Sequence, residues 1–521
     1  MEPTYDIAVL GSGFAGSLTA MIARRLGRSV VMLERGRHPR VVIGESSTPL
    51  SNLLLEELSD RYRLDEVRPL CKWGLWQQAH PEMACGLKRG FTFYHHRLDR
   101  PADPDPERRD QLLVAASPHD RIADTHWYRA DFDQFLVQAA QRADVEYIDE
   151  ARLERFTDAG SHVLLEGTRQ GQPLTIRARF VVDATGPRGF LHRALSLGEL
   201  PLPGMPATQA LYSHFTGVGR LSDAQPPADN PPYPPDDAAV HHIFPGGWIW
   251  VLQFSNGITS AGVAATDAVA SQLGLAEGRP AWDRLIDRIP ALLEQFAGSR
   301  PNLPFTHIPR LGFRSAVIAG RNWALLPSAA GFVDPLLSTG FPLTLLGVQR
   351  LAAILEADPG PDERAWRLRE YAAQTDAELL AVNGLAAALY ASMDNFPVFT
   401  DITMLYFAAV SYAETAHRLG RPQLAPSFLL HDHPALGPDM QRLIARSHTI
   451  RTAEESAQFS QDVRRAIEPI NVAGLCDPRR RNWYPVDAQD LYENTHKLGA
   501  TGEEIEGLLE RCGFAPEPDL Q

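Results

Sequence analysis

The sequence predicts an α/β fold: a GxGxxG Rossmann-like unit interleaved with a β-sheet layer, followed by a mostly helical C-terminal region. Three observations carry this prediction. An apolar run over residues 5–10 leads into Gly11, Gly13 and Gly16, and a helical pattern over 15–26 follows. Residues 241–265 are β-like, with Trp248, Trp250 and Phe254 in one stretch. Beyond Pro361, residues 365–391 and 400–418 are apolar on broad helical faces.

Taken in order, residues 29–33 form the second strand and end at Glu34, completing a βαβ start. Residues 87–95 alternate in the strand period. Lys88, Gly90, Thr92 and Tyr94 fall on one side, and Leu87, Phe91 and Phe93 on the other. A helix is predicted over 128–143 and a strand over 178–182, which ends in the run from Asp183 to Gly186. Another short strand, 323–326, precedes a small-residue turn and a helix over 342–355 that opens with Pro342. The proline-rich stretches 101–106 and 226–235 read as exposed loops. These elements divide the chain into residues 1–360 and a helical cap over 361–521. Within the first part, the Rossmann-like unit takes about 1–100, 120–200 and 305–360, and the β-layer about 87–120 and 200–300.

Composition narrows the functional classes. Of 521 residues, 44% are hydrophobic and 22% charged, as in an ordinary globular protein. A formal net charge of -14 disfavours a nucleic-acid partner. Neither a basic-plus-apolar N-terminal signal nor an apolar run of spanning length stands out, so no membrane partner is expected. Cys71, Cys85, Cys476 and Cys512 show neither metal nor disulfide spacing, which points to a reducing cytoplasm. His95 and His96, like His241 and His242, are strand neighbours facing opposite ways, so no shared metal is expected. A homodimer is compatible with the sequence.

Gly11, Gly13 and Gly16 permit a tight turn, close approach of a pyrophosphate and packing of helix on strand. Phe14 and Ala15 lie within that turn. Glu34, with Arg35 beside it, is placed for ribose hydroxyls. Downstream, the turn Ser338-Thr-Gly340 offers the backbone amides of Thr339 and Gly340 at a helix start, a setting that favours a small anion. The same residues also suit a plain turn into a helix.

Several stretches together resemble the flavin-dependent halogenases, closest to the branch acting on phenolic, phloroglucinol-type rings. They are Gly11–Gly16, Gly44-Glu-Ser-Ser-Thr-Pro49, residues 86–91, Trp248 and Trp250, residues 334–340 and residues 481–486. The resemblance runs over nearly the whole chain and implies an FAD-binding, monooxygenase-like fold whose β-layer faces substrate. It implies FAD, used as FADH2 from a separate flavin reductase, with chloride or bromide as co-substrate and a small aromatic as substrate. Asp183, Gly186 and Asp334 would contact the cofactor. Arg129 would start a helix over it, though a solvated arginine fits the pattern as well. Gly44, Glu45, Ser46 and Ser47 would form a strap covering the flavin, or simply a turn capped by Ser46 or Ser47.

The halide would sit on Thr339 and Gly340, whose amides would hold it beside the flavin. Lys88 would receive hypohalous acid and pass electrophilic halogen to the ring, as a neutral amine or as a cationic donor. Lys72 is its rival. Trp248, Trp250 and Phe91 would lie on the substrate side, although strand aromatics also make ordinary core. Phe396, Phe399, Tyr406 and Phe407 suit either a phenol pocket or core packing.

Three departures from the family pattern stand out. Leu252 and Gln253 replace Ile-Pro after the tryptophans. Leu337 stands where tryptophan-specific relatives carry a glutamate, which disfavours a tryptophan substrate. Residues 326–330 lack the Gly-Asp pair at the ribityl chain. An aromatic monooxygenase, an isoprenoid-chain flavin reductase and a catalytically lapsed flavin-binding scaffold share the fold and stay as alternatives.

Overall fold

The computed structural model of the protein describes residues 4–101, 105–224, 226–227 and 229–514. Residues 102–104 of the 101–106 stretch and residue 228 of the 226–235 stretch lie outside these. The first sheet follows the spatial order Glu146–Ile148, Val30–Leu33, Thr4–Leu10, Gln172–Asp183, Val163–Arg169, Ala151–Asp158. Trp323–Leu325 adds to Gln172–Asp183 in parallel. The central pairings are parallel and in register, Leu10 lying against both Leu33 and Asp183. Consequently Gly11, Glu34, Ala184 and Leu326 leave the sheet along one edge, the carboxyl ends where an open α/β sheet takes its ligand. Gln172–Asp183 is longer than the strand predicted over 178–182. Its first half pairs antiparallel with Val163–Arg169, and there Leu174, Ile176 and Ala178 alternate with Thr175 and Arg177.

The second sheet runs Arg300–Pro301, Thr208–Thr216, Ile258–Thr266, Gly247–Gln253, Ala239–Phe244, Gly90–His95, Gln111–Ala115, Trp483–Tyr484. Its two faces separate two cores by the strand period. Trp248, Trp250 and Leu252 enter the main core, and Ile249 and Val251 enter a second core under the helices Asp267–Leu273 and Arg279–Asp287. Burial on both faces explains the near-continuous apolar run here, where an alternating pattern would mark one solvated face. Trp483–Tyr484, from the C-terminal part of the chain, completes the sheet by pairing with Gln111–Ala115.

The predicted strand over 87–95 divides in two. Cys85–Lys88 pairs with Asp124–Trp127 in a small separate sheet, and Gly90–His95 belongs to the large one. The break at Arg89 resets the alternation, so Lys88 comes to share a side with Phe91 instead of Thr92: its ammonium lies 3.8 Å from the Phe91 ring centroid. Thr92 instead donates to the Pro235 carbonyl at 2.8 Å. The 226–235 stretch is likewise more than an exposed loop. Tyr233 is buried, and its hydroxyl donates to the Phe91 carbonyl at 2.6 Å.

The C-terminal part is built on the helices Pro361–Ala391 and Phe396–Arg418, with Gly437–Ser447, Ala453–Ile467 and Gly502–Arg511 around them. Contrary to the sequence reading, Phe396–Arg418 is long and apolar enough to cross a membrane, but 83% of its apolar window is buried inside the protein. It packs against Pro49–Tyr62 and Ala453–Ile467 as a core helix.

Candidate active site

The glycine turn fits a dinucleotide cradle for steric reasons that a Cβ makes plain. On Gly16 it would lie 2.0 Å from the Gly11 carbonyl oxygen. On Gly11, at φ +90°, it would lie 2.7 Å from the Ala184 carbonyl oxygen. The turn and the Asp183–Gly186 run therefore touch. Asp183 is buried, which raises its pKa, and accepts hydrogen bonds from Thr185 and the Leu191 amide, so it shapes its own turn.

Glu34 accepts from the Ser12 amide and hydroxyl at 3.1 and 3.0 Å, and from the Gly36 amide at 2.8 Å. Burial alone would raise its pKa. Arg40 and these donors outweigh burial and hold it below the usual carboxylate value. Arg35 is exposed and pairs with no described residue, and Arg40 is the cation at Glu34, 3.4 Å away. Buried His38 Nδ1 and Arg40 Nε have no protein partner. Unpaired polar atoms beside a glycine turn and a ribose-type carboxylate suit the polar half of FAD.

Arg129 opens its helix as a buried group, which excludes the solvated alternative. It forks onto Asp133 with two 2.8 Å bonds and donates to the Gly44 carbonyl at 2.8 Å. The strap thereby becomes an added edge on Asp124–Trp127. The Trp127 amide donates to Glu45, the Ser47 amide donates to Thr125, and Ser46 bridges His126. Thr48, not Ser46 or Ser47, caps the following helix Pro49–Tyr62 by accepting from the Ser51 amide. Glu45 forms a buried pair with His214 at 2.8 Å, tying the strap to the large sheet.

Lys88 is fully buried and reaches the strap. Its amine donates to Ser46 Oγ at 2.8 Å and to the Ser47 carbonyl at 2.6 Å. Burial drives its pKa down to about 7, opposed by Asp124, its cross-strand register partner. Asp124 is itself buried and its pKa raised by burial; Lys72 and Lys88 oppose that rise. Asn52 donates to one Asp124 oxygen at 2.7 Å, and the other oxygen has no partner. Beside this couple, His126 and His241 are pushed down to about 3, by burial first and the Lys88 charge second. They are neutral at any working pH. Sequence reasoning missed Asp124, Asn52, His126 and His241, because only strand pairing and long-range packing bring them to Lys88.

The proposed halide turn lies nearby. Leu337 and Ser338 are successive non-glycine residues at φ 65° and 55°, a strained conformation of the kind found at functional turns. The helix Gly340–Ala357 starts immediately after them, and a Cβ on Gly340 would meet no atom within 4 Å. Phe341, Trp127 and Phe14 pack together, Trp127 lying 4.4 Å from Phe341 and 5.4 Å from Phe14 between ring centroids. Glycine turn, strap and halide turn thus converge on one place.

Asp334 departs from its expected cofactor contact. Its carboxylate accepts from Trp248 Nε1 at 3.2 Å, the Leu336 amide at 3.0 Å and the Tyr390 hydroxyl at 2.8 Å, all protein donors. Burial raises its pKa to about 6 despite them. The bond to Trp248 gives that tryptophan a definite purpose: it ties the β-layer to the halide turn and, through Tyr390, to the cap. Trp250 donates to Ser260 and packs 5.7 Å from Trp248. Replacing Tyr390 with phenylalanine is expected to destabilise the protein by roughly 1.5–3 kcal/mol, the worth of a hydrogen bond to a charged group, measured by denaturant unfolding.

A cavity of about 600 Å³ opens beyond Lys88. Its inner end carries Phe91, Tyr406 and Phe407, and Lys72 lies in its wall. Phe396 and Phe399 stay out of it. They pack on each other at 5.6 Å and on His95 and Phe93, as core. His96 and His242 meet across strands at 2.9 Å, which alternation within one strand did not anticipate. No cluster of three metal-type ligands occurs among the described residues.

A family profile described as FAD dependent oxidoreductase matches residues 6–331. The tetracycline 7-halogenase of Kitasatospora aureofaciens is 29% identical over 419 residues, 78% of this chain and 73% of that one. Monodechloroaminopyrrolnitrin halogenase PrnC of Pseudomonas fluorescens is 26% identical over 481 residues, 90% of this chain and 81% of that one. The crystal structure of halogenase PltM with phloroglucinol and FAD shares the fold, at TM-score 0.80 and 24% identity, covering 92% of this chain and 99% of that one. The profile match places the chain in the FAD-dependent oxidoreductase family, and halogenase relatives along most of its length make it a flavin-dependent halogenase within that family.

Proposed function

We propose that the protein halogenates a small free phenol or similar electron-rich aromatic, using chloride or bromide, O2 and FADH2 delivered by a diffusing flavin reductase. The observation that carries this reading is the Lys88 amine, buried between the strap and an aromatic-ended cavity. Bound FAD, when reduced, supplies with O2 the oxidising power that turns halide into hypohalous acid.

The chain's own residues do the rest. The Thr339 and Gly340 amides hold the halide at the start of Gly340–Ala357. Lys88, held by Ser46 and Ser47, receives the hypohalous acid and orients it toward the ring. A ring carbon takes the halogen, and its proton leaves with the hydroxide as water. Phe91 joins the two compartments, because it lines the cavity and carries the Lys88 ammonium at 3.8 Å. A phenol fits this site without a carboxylate at position 337, since its own oxygen feeds electrons into the ring. Four unpaired cysteines suit a reducing cytoplasm.

The protonation of Lys88 gives a pH signature. With the amine at about pKa 7, the rate is expected to inflect near that pH. Asp124→Asn removes the one charge that favours the cation, so the Lys88 pKa falls further. The inflection then moves to lower pH whether the neutral or the charged amine is active. A profile unchanged in Asp124→Asn would show that the two groups are not coupled.

Mass spectrometry of a phenol and indole panel, run with FAD, a flavin reductase, NADH and bromide, tests the reaction class. A bromine isotope doublet on a phenol is the expected result. Hydroxylated product formed equally with and without bromide would make the protein a hydroxylase instead.

A further inference from the structure

We propose that the cavity beside Lys88 selects an acidic phenol larger than one ring, with the Tyr406 hydroxyl meeting the ring hydroxyl and the Lys72 ammonium meeting the acid. This rests on the halogenase reading for its chemistry, but not for its binding preference.

Size is the first argument. Benzene is held by a cavity of about 150 Å³, and this one measures about 600 Å³. A single ring at the inner end, against Phe91, Tyr406 and Phe407, leaves most of that volume empty. The outer walls carry Leu491, Leu508 and Leu509 beside Asp487, Glu510 and Arg511, and the leucines offer a further ring an apolar surface.

Unmet polar groups are the second. Tyr406 is 1% exposed, lines the cavity, and its hydroxyl has no partner. Leaving a buried hydroxyl unpaired is unfavourable, so a polar ligand group belongs beside it. Lys72 is half-buried in the same wall and makes no hydrogen bond or ion pair with a described residue. Arg68 and Arg418, also in the wall, are neutralised: Arg68 by Glu56 and Asp60, Arg418 by Glu414 and Glu56. Lys72 therefore differs from them in having no ion-pair partner among the described residues, its charge acting on buried Asp124 only at longer range.

Its place along the cavity is the third. The Lys72 charge acts on buried Asp124 beneath the inner end and on the Cys512 thiol in the C-terminal wall. Lys72 thus lies between the two ends, where it would meet an acid carried beyond the first ring.

Isothermal titration of the FAD-loaded protein, with halide omitted, tests this using phenol, 2-naphthol and 6-hydroxy-2-naphthoic acid. The naphthol is expected to bind more tightly than phenol, and its carboxylate tighter again by about tenfold, the worth of a charge-assisted hydrogen bond. Lys72→Met is expected to abolish the carboxylate advantage and leave 2-naphthol unchanged, while Lys72→Arg keeps it. Tyr406→Phe is expected to weaken all three alike. Equal affinity for the naphthol and its carboxylate, or a Lys72→Met loss shared by both, would overturn the proposal. Because no turnover is involved, tight binding of the acid without bromination would instead count against the halogenase reading alone.

Discussion

Lys88→Ala is expected to lower halogenated product by at least roughly 10²-fold, the scale of a positioned proton-handling group, while bound FAD stays at the wild-type level. The reason is spatial. The dinucleotide cradle is built from Gly11, Gly16, Glu34 and Arg40 at the strand ends. Lys88 hangs from a separate two-stranded sheet on the far side of the strap. Alanine removes the amine and also leaves a void and an unaccompanied Asp124. Lys88→Met, close in volume, avoids the void: it keeps the packing and, like alanine, removes the amine and its charge on Asp124. Both variants are checked by flavin absorbance of the purified protein and by the bromine doublet in product. Product at the wild-type level from Lys88→Met would move the oxidant-handling role to another residue, and Lys72 would be the first to test.

Gly16→Ala is expected to abolish FAD retention and lower stability by about 1–3 kcal/mol or more, the range for overpacking a close contact. The added methyl would stand 2.0 Å from a backbone oxygen, which cannot swing away as a side-chain end can. The helix Phe14–Arg25 must shift off the strand, and its N-terminus then leaves the pyrophosphate position. Flavin absorbance after gel filtration and a thermal melt read the two effects separately. A Gly16→Ala protein that keeps its full flavin complement would remove the glycine turn from the cofactor site.

The two experiments probe opposite sides of one wall. The wall is physical: residues 44–47 are held by Arg129 on the cradle side, by Asp124–Trp127 along their length and by the Glu45–His214 pair at the large sheet. Lys88 touches that wall from the substrate side. On the proposed reading, oxidant made near the flavin would be received by this amine, and the aromatic end of the cavity is one side chain further on.

Much of this was legible in the chain itself, because the signals are local. A glycine turn between an apolar strand and a helix, an acid at the next strand end, and a small-residue turn before Pro342 each occupy a few consecutive residues, and backbone sterics give them one meaning. The broad apolar faces beyond Pro361 announce buried helices by the same logic. What only the tertiary structure decided is whatever depends on partners far apart in sequence. Alternation over 87–95 put Lys88 with Thr92, but the break at Arg89 and the pairing with Asp124–Trp127 turned it toward Phe91, Ser46 and Asp124. Asp334 looked like a cofactor ligand until Trp248 and Tyr390, 86 and 56 residues away, filled its oxygens. Burial and pKa follow from such meetings, and no run of neighbouring residues contains them.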